Sequence, residues 1–99
     1  MAYYLVRVEL HRATYQDYEN LHGAMERAGF SRTIQGSNGK TYQLPTAEYV
    51  MQGQYTASDV RVTASTAAAT VGKAFGVIVA ESSSLAWDGL DEVKQPAYR

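Results

Sequence analysis

Two histidines, His11 and His22, are the side chains of this chain best suited to moving a proton near neutral pH. An imidazole titrates at about 6.5 and serves as base or as acid. His22 lies in a stretch with helical spacing, where a histidine is more often a half-buried packing residue. His11 follows a strand-like run, in a short connection where solvation is the plainer reading. Glu9 is an isolated carboxylate near the end of that same run. One carboxylate rarely holds a divalent metal by itself. Arg27, Arg32 and Lys40 are the only charges between residues 27 and 47, with no acid among them. With Tyr42 they would make a small basic, aromatic strip suited to single-stranded RNA. The plainer alternative is a solvated hairpin. Glu81, Asp88, Asp91 and Glu92 make the C-terminal end acidic, which suits a cationic protein partner or simply solubility. No phosphate-cradling glycine loop, no metal-ligand spacing on a helix and no Ser-His-Asp set is legible, so no cofactor and no metal are expected.

The chain that must position these groups has 99 residues, enough for one domain and too few for two. Its net charge of −1 argues against strong nonspecific nucleic-acid binding, which needs a cationic surface. There is no cysteine, which removes disulfides, thiolate nucleophiles and Cys-ligated metals. No apolar run approaches a membrane span, and no signal peptide is expected. A soluble, cytoplasmic protein fits these totals.

The most informative stretch is Tyr3 to Leu10. Tyr4, Val6, Val8 and Leu10 share one face of an extended chain, and Tyr3, Leu5, Arg7 and Glu9 share the other. Thr14 with Asp17 forms a capping box for a helix over 15–28, with Tyr18, Leu21, Met25 and Ala28 on its stripe. Gly29 ends that helix, and Phe30 folds back on its last turn. Phe30 to Gln35 reads as a strand, Asn38-Gly39 as a turn, and 40–44 as the return. A strand over 46–53 follows, with Ala47, Tyr49 and Met51 inside. A second helix over 57–71 buries small side chains. A strand over 73–81 carries Phe75, Val77 and Val79 on one face. Leu85 to Leu90, with Trp87, suggests an extra C-terminal edge strand.

Strand, helix, strand, strand, helix, strand is the order of an α+β ferredoxin-like βαββαβ sandwich. It predicts a four-stranded antiparallel sheet with both helices on one face. A single domain over 1–90 and a frayed tail over 91–99 are expected. The other sheet face would leave Tyr3, Leu5, Val50 and Ile78 as an apolar strip. Such strips mark contacts, so a homodimer through this face or through the edge near Trp87 is expected.

The Tyr4-Leu5-Val6 strand, the helix ending before Phe30-Ser31, and the hairpin Gly39 to Leu44 leading into Ala47-Glu48-Tyr49 resemble the GhoS-type family of small antitoxin endoribonucleases. That family is similar in fold to the small ferredoxin-like nucleases of CRISPR adaptation. The likeness runs from Tyr4 to Tyr49 and more loosely to Ala80. It rests on hydrophobic pattern and on Phe30, Ser31, Gly39, Gln43 and Leu44. It implies a cytoplasmic bacterial or mobile-element protein that binds RNA and cuts a toxin message. One departure is local: the family's arginine-bearing helix segment here reads Asn20-Leu21-His22. His22 then becomes the candidate acid–base group. Glu9 becomes a candidate metal ligand, paired across a dimer as the related nucleases imply. A second reading is a non-enzymatic, phage- or plasmid-encoded interaction module, such as an anti-CRISPR-type inhibitor of a host defence complex.

Overall fold

The alternating N-terminal run forms β1 (Ala2–Leu10), followed by α1 (Tyr15–Arg27), β2 (Thr33–Gln35), β3 (Thr41–Gln43), β4 (Glu48–Gly53), α2 (Ala57–Ala69) and β5 (Phe75–Ser82). These elements come from a computed structural model that describes residues 2–94. The even-numbered face of β1 is the floor of the core. Tyr4, Val6 and Val8 are fully buried there with Leu21 and Met25 of α1 and Val60 and Ala64 of α2. Val77 and Val79 of β5 are only partly buried against this cluster. The buried hydroxyl of Tyr4 accepts the Tyr55 amide at 2.8 Å, tying the turn before α2 to the sheet.

Local signals set the helix ends. The Thr14 hydroxyl accepts the Asp17 amide at 3.1 Å, and the Asp17 carboxylate accepts the Thr14 amide at 2.9 Å. The backbone bond from Thr14 is the largest of the influences that hold Asp17 below the usual carboxylate range. At the other end Gly29 takes φ +101°, and the Phe30 amide reaches back to the Met25 carbonyl at 3.0 Å. In α2 the hydroxyls of Thr63 and Thr66 bond carbonyls one turn back, so these poor helix formers leave no polar group idle.

The expected four-stranded sheet is corrected. The main sheet has three antiparallel strands in the order β4-β1-β5, and β2 and β3 form a separate two-stranded ribbon. Of the strand expected over Phe30–Gln35, only Ser31 pairs its backbone with the main sheet. It exchanges two backbone bonds with Val50, at 2.8 and 2.9 Å. The Ser31 hydroxyl then accepts the Thr33 amide at 3.1 Å, which turns the chain out of the ladder. Burial supplies the driving force: leaving the sheet lets Ile34 and Leu44 close over Val50 on the face away from the helices. Val50, assigned by alternation to the outside, is therefore buried.

The extra edge strand over Leu85–Leu90 is also corrected. That segment is irregular, and Leu85, Trp87 and Leu90 pack onto the Ile34–Leu44–Val50 cluster. The backbone pairing comes later: the Gln43 amide donates to Asp91 and the Val93 amide to Thr41, each at 2.8 Å. This ties residues 91–93 of the segment read as a tail to β3. Residues 95–99 lie outside the described part of the chain.

Candidate functional site

His22 sits on the inner face of α1, opposite Tyr49 on the helix-facing side of β4. Helical spacing turns it inward beside Leu21 and Met25, and strand alternation turns Tyr49 toward it. The His22 residue is 6% exposed. Its Nδ1 lies 2.7 Å from the Tyr49 hydroxyl. Among the described residues Nε2 has no hydrogen-bond partner, and it is not completely buried. Burial lowers the proton affinity of His22, and the Arg32 charge lowers it further; Glu19 and Glu26 work the other way. Burial also pushes the Tyr49 hydroxyl up, so it stays a phenol. A neutral imidazole that carries its proton on Nδ1 can accept another at Nε2.

The cation whose field reaches His22 is Arg32, just past the Ser31 bridge. The expected basic strip is spread out. Arg27 lies on the helix layer, beside Gly23 and Thr70. Lys40 stands on the hairpin across the sheet, 4.0 Å from Glu92 of the acidic end. Tyr42 packs on Trp87 with ring centroids 5.8 Å apart. Glu9 is exposed at the end of β1, and no cluster of three metal-ligating side chains occurs among the described residues.

The profile of the family described as Endoribonuclease GhoS matches residues 1–87. The chain belongs to this family. A search of curated proteins finds no match. The family match gives the anti-CRISPR-type alternative no support. No helix among the described residues is long and apolar enough to cross a membrane.

In this GhoS-family chain the residues expected at a dimer contact divide. Tyr3, Val50 and Trp87 gather under the hairpin in one cluster of the same chain. Leu5 is half-buried, and Ile78 stays 68% exposed on edge strand β5. Tyr49 was legible only as a core residue. Its role as the partner of His22 depends on a contact across 27 positions, for which no local spacing exists. The one available signal was chemical: a buried tyrosine needs a partner for its hydroxyl.

Proposed function

We propose that this protein binds RNA and cuts it as a GhoS-type endoribonuclease antitoxin, in the cytoplasm of a host carrying a toxin–antitoxin or mobile-element system. The family match over residues 1–87 carries this reading. The β4-β1-β5 order with Ser31 beside β4 supports a ferredoxin-like sandwich, its fourth strand reduced to one bridge, in a single domain over 1–90.

In this reading His22 is the base. The reaction needs the tautomer whose Nδ1–H donates to the Tyr49 oxygen, 2.7 Å away, which frees the Nε2 lone pair. Nε2 takes the 2′-hydroxyl proton, and the 2′-oxygen attacks the adjacent phosphorus. The 5′-oxygen leaves with a proton from solvent, and the products are a cyclic phosphate and a free 5′-hydroxyl. Arg32 supports the charge that builds on the phosphate. A second copy of the chain covers Ile78 and the open edge of β5; a monomer mass by light scattering at high micromolar concentration removes that part of the reading.

The test is cleavage of a structured message with and without EDTA. Cleavage that resists EDTA and is lost in His22→Ala is expected. Cleavage abolished by EDTA and indifferent to His22→Ala moves the chemistry to Glu9 and a shared metal. No cleavage by the purified protein leaves only binding, which Arg32→Ala and added salt would weaken.

A further inference from the structure

A cleft of about 620 Å³ opens between the β2–β3 hairpin and residues 83–87. It lies on the sheet face away from His22, and its composition differs from that of the surface around it. Tyr3, Tyr42 and Trp87 supply aromatic wall, and Gln35, Asn38 and the serines of 83–84 supply amides and hydroxyls. Among the described residues no Lys, Arg, Asp or Glu lines it. A neutral, aromatic and amide-bearing cleft of this size selects a planar group with hydrogen-bonding edges over a phosphate or a carboxylate.

The cleft is also held in shape. The Asn38 amide donates to the Tyr42 hydroxyl at 3.0 Å, and its oxygen accepts the Lys40 amide at 2.9 Å. This fixes the Tyr42 ring against Trp87, at an interplanar angle of 59°. Gln35 donates to the Gly39 carbonyl at 3.2 Å, which aims its side chain while its oxygen has no partner among the described residues. Gly36 contributes bare backbone. A Cβ there would stand 3.3 Å from Tyr42, 3.5 Å from Trp87 and 3.0 Å from the Asn38 oxygen. Lack of a side chain at this position keeps open the space in front of both rings.

We propose that this cleft receives an unstacked base of single-stranded RNA, lying against Tyr42 and Trp87 with its polar edge toward Gln35. The proposal rests on the RNA-binding reading above and adds where a base is held. The phosphates stay outside the neutral cleft, where Lys40 stands on the same hairpin. Bases paired in a duplex cannot enter, because their faces are already stacked and their edges already bonded.

Trp87 is the only tryptophan of the chain, so its emission reports this cleft alone. The experiment follows Trp87 emission and the anisotropy of a labelled strand together, with a mixed-sequence single-stranded RNA and with the same sequence as a duplex. The single strand is expected to raise anisotropy and to quench Trp87 in one saturable step, and the duplex to leave Trp87 unmoved. Gly36→Ala, which places a methyl before the two rings, should weaken single-strand binding by about 5- to 100-fold. Gln35→Ala changes an exposed side chain without touching the packing and should weaken it by about 2- to 10-fold. Suppose the strand binds by anisotropy while Trp87 stays silent and both variants bind as the wild type does. The cleft is then no base site, and the RNA-binding reading stands without it. Equal quenching by the duplex also overturns the proposal. No anisotropy change with any RNA removes the RNA-binding reading itself.

Discussion

The two faces of the central sheet are closed in different ways. On one face two helices, whose backbones satisfy themselves, cover Tyr4, Val6, Val8 and Tyr49 and leave these side chains no solvent. On the other a short two-stranded ribbon and an irregular segment close over Val50. There only Ile34, Leu44 and Val50 are buried, and Tyr3, Tyr42, Leu85, Trp87 and Leu90 are covered in part. The difference follows from where backbone polar groups can go. A helix can lie flat on an apolar face because its N–H and C=O groups already pair within it. The irregular cover must spend side chains and isolated bonds, such as Gln43 to Asp91, to do the same. It therefore leaves a cleft. The proposed chemistry then falls at the rim of the tightly closed face and the proposed recognition on the loosely closed one.

The sharpest way to break this division is to separate cutting from holding. His22→Ala should lower cleavage by about 10²- to 10⁴-fold while RNA affinity changes little. Gly36→Ala should do the reverse, weakening binding with His22 intact. Equal loss of both activities in both variants would show one continuous site.

Stability comes next. Leu21→Ala, in the fully buried cluster, should cost about 2–5 kcal/mol, and Leu44→Ala under the hairpin should fall near the low end of that range. Chemical denaturation of the two variants settles it; a greater cost at Leu44 would mean that the second face is the true core. A smaller loss is expected from Tyr49→Phe. It leaves His22 Nδ1 without its partner in a buried place, at about 1–3 kcal/mol. An unchanged melting temperature would show that the His22–Tyr49 bond contributes nothing to the fold.

The smallest effect is on pH dependence. Burial, with Arg32, makes His22 harder to protonate in the folded protein than in the unfolded chain. As the pH falls, the unfolded chain takes up that proton first. The contribution of His22 to stability is therefore complete above about pH 6.5 and is lost as the pH falls through that value toward the lowered folded-state pKa. Melting temperatures of the wild type and His22→Gln should converge across that window. Asp17, also held low, acts only in the more acidic range of carboxylates. Parallel profiles for the two proteins would show that His22 does not titrate differently in the two states.

What could be read from the chain was local. The Thr14–Asp17 box, the Gly29 stop, the return of Phe30 and the alternation of β1 each depend on residues a few positions apart, and each was found where spacing placed it. The family likeness rests on the same kind of pattern. Ser31 shows where such reading ends. Its neighbours Phe30 to Gln35 alternate well enough for a sheet strand, and one hydroxyl bond to Thr33 with the pull of Val50 on Ile34 takes them elsewhere.

The sequence by itself determined the two helices and the buried face of β1, because periodicity and capping act within a turn or two of chain. Only the tertiary structure decided that His22 is bonded to Tyr49, that the charge of Arg32 acts on it, and that Gly36 lies beside Tyr42 and Trp87 in a cleft. Those pairings join residues far apart in the chain. They are set by which apolar surfaces pack together in the folded chain, and no local spacing records that.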